Sequence, residues 1–165
     1  MPRKNKKLPR HLLVIRTSAM GDVAMLPHAL RALKEAYPEV KVTVATKSLF
    51  HPFFEGVDVD FLDIEPRRTH RGIRGAIRFA REAAELKIDA VADMHNVLRS
   101  KMVRAALHLR GIPVSVIHKG RIEKYMRLGR GSGGVKPLKH TVIRYCDVFR
   151  RLGFDFPDPR PAETR

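Results

Sequence analysis

Five short runs of aliphatic and β-branched residues recur along the chain, each separated from the next by a segment with helical character, and that alternation constrains the fold more than any other feature. The runs are Leu12-Leu13-Val14-Ile15, Val40-Lys41-Val42-Thr43-Val44-Ala45, Phe61-Leu62-Asp63-Ile64, Ala90-Val91-Ala92 and Val114-Ser115-Val116-Ile117. Between and after them the apolar period changes from strand-like to helix-like. A helix is expected from about Asp22 to Tyr37, with Ala24, Leu26, Leu30, Leu33 and Ala36 as its apolar positions, and Pro38 closes it. The clearest pattern runs from Ile73 to Leu86 and places Ile73, Ala76, Ile77, Ala80, Ala83 and Ala84 on one side with charges opposite, so that side is expected to be core. Further helices are expected from about Val97 to Leu109, ended by Gly111, and from about Leu138 to Leu152, stopped by Gly153. Strands joined by helical crossovers pair in parallel and need covering on both faces, so the pattern predicts an α/β chain with a doubly wound parallel sheet.

Length and composition fit one such unit. A chain of 165 residues with 44% hydrophobic composition fills one ordinary core. We place it at 12–154, preceded by a basic tail at 1–11 and followed at 155–165 by a segment read as a linker, because Phe156-Pro157-Asp158-Pro159-Arg160-Pro161 cannot be helical. No apolar stretch reaches membrane-spanning length, and the opening Met1-Pro2-Arg3-Lys4-Asn5-Lys6-Lys7 leads into Leu8-Pro9-Arg10-His11 where a secretory signal needs its apolar segment. The single cysteine, Cys146, has no internal disulfide partner and reads as core. These features suggest a cytoplasmic location.

The net charge of +16 predicts a positive field that draws in polyanions such as nucleic acid, anionic lipid or a phosphorylated sugar. Between Arg99 and Arg151 only Glu123 and Asp147 oppose the basic residues, which spread over several expected elements and so describe a face or a cleft lining. The aromatic residues cluster at Phe50, Phe53 and Phe54, away from the most basic stretch, which argues against single-stranded nucleic acid as the partner. Gly129-Arg130-Gly131-Ser132-Gly133-Gly134 has the letters of a dinucleotide-binding loop but neither a strand before it nor a helix after it, and it reads as a flexible loop. The eight histidines show no metal-ligand spacing.

In a doubly wound sheet ligands gather at the carboxyl ends of the strands, where the strand order reverses. The segment there is Arg16-Thr17-Ser18-Ala19-Met20-Gly21-Asp22. Gly21 permits a close backbone approach or a positive φ, Thr17 and Ser18 offer hydroxyls, and Asp22 stands at or near the start of the first helix. Asp22 has two readings that do not exclude each other: a helix N-cap, or a general base.

Leu13-Val14-Ile15-Arg16-Thr17-Ser18-Ala19-Met20-Gly21-Asp22-Val23, followed by Leu26-Pro27 and Ala29-Leu30, resembles the opening of glycosyltransferase family 9, the lipopolysaccharide heptosyltransferases. Asp93-Met94-His95-Asn96-Val97-Leu98-Arg99-Ser100 is similar to that family's Asp-x-x-x-x-x-Arg-Ser segment. The resemblance covers the chain from about Leu12 onward and implies a Rossmann-like domain, the N-terminal, acceptor-binding half of a GT-B enzyme. It implies inverting transfer of heptose from ADP-heptose to the Kdo-lipid A inner core, with Asp22 as the base and no metal or other cofactor.

The resemblance also implies an acceptor site drawn from Ser18, Ala19, Met20, Gly21, His95, Asn96, Arg99 and Ser100. The forked guanidinium groups of Arg67, Arg68 and Arg71 are read as clamps on acceptor carboxylates and phosphates, and Lys119, Arg121 and His140 as further rim residues. The expected partners are an anionic glycolipid and the inner face of the inner membrane; nucleic acid is not expected. A complete family member also has a donor-binding half. This sequence holds no second nucleotide-binding unit, so acceptor binding without turnover is expected unless a separate chain completes the cleft. The alternative is a non-catalytic basic Rossmann-like module that holds anionic lipid or nucleic acid.

Overall fold

In the computed structural model, which describes residues 7–65, 68–118 and 140–159, all five apolar runs are strands. They are β1 (His11–Ile15), β2 (Lys41–Thr46), β3 (Asp60–Asp63), β4 (Ala90–Asp93) and β5 (Val114–Val116). Every pairing is parallel and the order across the sheet is β3-β2-β1-β4-β5. The chain therefore winds outward from β1 in one direction and then from β4 in the other, and the reversal falls between those two strands.

Four helices cover the sheet: α1 (Met20–Ala36), α2 (Gly72–Glu85), α3 (Leu98–His108) and α4 (Thr141–Leu152) among the described residues. The period-2 alternation of β1 sorts its side chains between two cores. Leu12 and Val14 join α1 and α4 on one face, with Leu30, Leu33, Tyr145 and Phe149. Leu13 and Ile15 join α2 and α3 on the other, with Phe79, Ala83, Val103 and Leu107. Both faces are covered, as the near-continuous apolar character of β1 and β4 requires.

The differences from the sequence reading are local. The segment after β2 forms a short 3-10 helix, Ser48–Phe54, whose Phe50 and Phe54 plug into the α1 face. α1 starts at Met20, ahead of the expected Asp22. On α2 the expected apolar side is wider than the surface it packs on: Ala76, Phe79, Ala80 and Ala83 are buried, but Ile73 and Ile77 stay exposed. The residues read as the start of a linker lie against the body. Phe156 packs on Phe149, Asp155 N-H donates to the Tyr37 hydroxyl, and Arg150 donates to Asp158. The glycine-rich segment 129–134 lies outside the described residues, as does the expected start of the last helix at Leu138. No helix among the described residues is long and apolar enough to cross a membrane.

Two ionisable groups sit inside the α4 contact. Burial pushes the Cys146 thiol up to about 11, with Arg150 opposing the rise, and pushes the Tyr145 hydroxyl up to about 12, with Arg16 opposing. In each case the folded chain holds the proton more tightly than the unfolded chain does, so this stabilisation is complete below the unfolded values near 9 and 10 and is lost as pH rises through 11 and 12. We expect the urea midpoint to fall steadily above pH 9, and Cys146→Ala to remove the earlier part of that fall. A midpoint that stays level to pH 11 in the wild-type chain rules out this account of the α4 contact.

Candidate active site

Where the strand order reverses, two turns face each other: 16–19 leaving β1 and 94–97 leaving β4. Arg16 joins them. It is a charged residue at the end of a buried strand and is itself buried; one guanidinium nitrogen donates to the Met94 carbonyl and another to Asp22 Oδ2. A buried arginine needs such acceptors on every side it can find, because an unpaired charge there is costly. The bridge fixes the first turn of α1 against the β4 turn, and the Tyr145 hydroxyl on α4 supports it from behind by donating to the Asp22 carbonyl at 2.9 Å.

Asp22 is the third residue of α1, and the N-cap position belongs to Ala19, which makes no side-chain cap bond. The N-cap reading of Asp22 is therefore wrong: its carboxylate turns to Arg16 and not to a backbone N-H. That side chain remains 45% exposed, and its second oxygen accepts no hydrogen bond from the described residues. It is oriented from the protein side and open from the solvent side. Of the two uses read for Gly21, a positive φ is absent: Gly21 is helical, and a side chain there would meet only open space. Nothing within the described chain demands glycine at this point. Met20 is exposed on the same turn.

The β4 turn is organised by Asp93, which is fully buried. Its Oδ1 accepts the backbone N-H groups of His95 and Asn96 at 2.9 and 2.8 Å, and its Oδ2 accepts Arg104 of α3 at 3.0 Å. Asn96 takes a left-handed conformation, φ 47°, and its side-chain amide is engaged inside the chain with Arg104 and the Ile117 carbonyl. Ser100 accepts the Val97 N-H at 3.0 Å and so serves the start of α3. His95 reaches back across the reversal, with Nε2 3.4 Å from Ser18 Oγ.

His95, Arg99 and Ser100 line one side of a cavity of about 40 Å³, with Thr17 and Ile15 from the β1 side and His70 and Phe79 closing it. That volume holds about two waters. His70 is buried, accepts the Glu65 N-H on Nδ1 and meets Glu82 of α2 through Nε2 at 3.0 Å. Burial pushes the Glu82 carboxyl up, but hydrogen bonds from Arg78 and His70 outweigh it and hold the group below its usual range. The loop is seated so closely that a side chain at Gly75 would fall 2.1 Å from the His70 carbonyl carbon.

The sequence-predicted site residues thus divide into groups. Ser18, Ala19, Met20, Gly21 and Asp22 share one turn, and His95, Asn96, Arg99 and Ser100 share the turn opposite. Arg68 and Arg71 are exposed on the loop that His70 anchors. His140 is the N-cap of α4, its Nδ1 accepting the Val142 N-H at 3.4 Å. Arg67, Lys119 and Arg121 lie outside the described residues. Sequence reasoning missed the roles of Arg16, Asp93, Arg104 and His70. The one available signal was a charged residue directly following a buried strand at Arg16, and one closing a buried strand at Asp93. Among the described residues no His, Cys, Asp and Glu side chains gather as a metal site requires.

No protein-family model matches the chain, and no curated protein matches it in sequence. Solved structures do match its shape. A glycosyl transferase of family 9 from Veillonella parvula superposes with a TM-score of 0.66 at 17% identity, covering 93% of this chain and 44% of its own. The E. coli heptosyltransferase WaaC, solved with ADP-2-deoxy-2-fluoro heptose, gives 0.61 at 22% identity, covering 92% of this chain and 50% of its own. The E. coli ADP-heptose lps heptosyltransferase II gives 0.55 at 21% identity and 43% of its own length. This chain spans half the length of those proteins or less. In fold, the described residues therefore resemble about half of each of these solved chains.

Proposed function

We propose that the chain forms the acceptor-binding half of an inverting glycosyltransferase that moves heptose from ADP-heptose to the Kdo-lipid A inner core, with Asp22 as general base. The observation that carries this reading is the Asp22 carboxylate itself. It lies at the strand-order reversal of a sheet shaped like half of the heptosyltransferases, with one oxygen held by buried Arg16 and the side chain open to solvent. The open space over Gly21 lets an acceptor come close to the start of α1.

The chemistry follows from that geometry. Asp22 takes the proton of the acceptor hydroxyl as its oxygen attacks the anomeric carbon, the bond from that carbon to the diphosphate breaks, and ADP leaves with the electron pair. Inversion results because attack and departure occur on opposite faces. Arg99 and the exposed Arg68 and Arg71 are suited to the acceptor's carboxylates and phosphates. In this reading ADP-heptose is held by a donor-binding half that faces the acceptor across the cleft. It works on the cytoplasmic side of the inner membrane, where its charge of +16 meets an anionic glycolipid.

The test is a titration of the chain with Kdo-bearing lipid A fragments at low and high salt. Saturable binding that survives added salt is expected of a shaped site. Affinity that disappears in step with ionic screening overturns the reading and leaves a basic Rossmann-like module that holds anionic lipid or nucleic acid by charge.

A further inference from the structure

The outer face of α2 presents what the sequence pattern assigned to the core. Ile73 and Ile77, one helical turn apart, are 67% and 47% exposed, and Arg74, Arg78 and Arg81 are exposed on the same helix. Only Glu82, tied to His70 and Arg78, and Glu85 oppose them on this helix. Leu98, in the first turn of the neighbouring α3, is 77% exposed. Both helices run back from the carboxyl edge of one parallel sheet and pack side by side on one face of it, so Leu98 and Ile73 belong to the same end of the same layer.

Water-exposed aliphatic side chains bordered by arginines fit one kind of partner best. We infer that the α2–α3 face is a membrane-docking surface: Ile73, Ile77 and Leu98 enter the boundary between headgroups and acyl chains of an anionic bilayer, and Arg74, Arg78 and Arg81 bind the lipid phosphates. Aliphatic insertion gives the attachment an apolar component that charge alone lacks, and arginine pairs with phosphate in a forked geometry. Nucleic acid uses the arginines but gives Ile73, Ile77 and Leu98 nothing to do, and among the described residues this face offers no exposed aromatic ring for base stacking. The inference rests on the reading of a lipid-borne acceptor in one respect: α2 and α3 both begin at the carboxyl edge, so docking there sets the Asp22 end of the sheet beside the bilayer.

The experiment is flotation of the full chain with vesicles of phosphatidylcholine alone and of phosphatidylcholine with phosphatidylglycerol, without any glycolipid. The wild-type chain should float with the anionic vesicles, and Ile73→Ser with Ile77→Ser should weaken that binding about tenfold even at low salt. Arg74→Gln with Arg78→Gln should weaken it about as much and flatten its salt dependence. The substituted side chains are on the surface, and circular dichroism confirms that each variant is folded. Equal flotation of the wild-type and isoleucine variants overturns the proposal in favour of charge alone, and no flotation of the wild type overturns it outright. If α2 becomes protected from hydrogen exchange on adding a donor-binding half without vesicles, the face belongs to that half and the proposal fails. Asp22→Asn should float like the wild type, so none of these results bears on the acceptor site.

Discussion

When the chain is assayed together with a donor-binding half, Asp22→Asn should lower the rate of heptose transfer by about 10²- to 10⁴-fold while leaving acceptor affinity within about twofold. The substitution is close to isosteric, and an amide oxygen still accepts from the Arg16 guanidinium, so the turn that carries it stays in place. What disappears is the capacity to take a proton. A loss confined to kcat, with acceptor binding retained, is the signature of a group that acts in the transition state. A variant that keeps transfer within threefold of wild type shows that Asp22 is not the base, whatever the chain binds.

The second large effect concerns stability. Asp93→Ala should cost about 3 kcal/mol of unfolding free energy in urea, among the largest single-residue losses expected in this chain. Asp93 is fully buried and satisfies three donors: two backbone amides of the β4 turn and the Arg104 guanidinium. Alanine strands all three. Arg104→Ala leaves the fully buried Asp93 carboxylate without its cation and should cost a comparable amount. The double variant should lose less than the sum of the two single losses, because its members share one interaction. A loss under 1 kcal/mol for Asp93→Ala contradicts this account of the turn.

What the sequence reveals about this molecule follows from how far each signal reaches. β1 and β4 are legible because a strand buried on both faces must be apolar throughout, and the run Leu12 to Ile15 meets that demand without help from the rest of the chain. The turn at Ser18 to Asp22 is legible as a place because topology puts it at the strand-order reversal. Its internal wiring is not. That Arg16 is buried, and that Asp22 faces it rather than capping its own helix, depends on the Met94 carbonyl, 78 residues away in sequence.

The same limit explains α2. Its periodicity identifies Ile73 and Ile77 as apolar positions, but how wide a strip of the helix is covered depends on the neighbours it meets. Gly75 reads as an indifferent small residue until the His70 backbone is found pressed against it. Asp93 reads in the sequence only as the opening of the Asp93–Ser100 motif. Its value emerges only with Arg104, brought round by a helix that the strand itself leads into.

The Arg16 bridge means that the two motifs are not independent modules. A designer who wished to remodel this site by transplanting the opening turn from another protein of this fold would import an aspartate and leave behind the carbonyl that aims it. The two segments need to travel together, as matched halves of one joint.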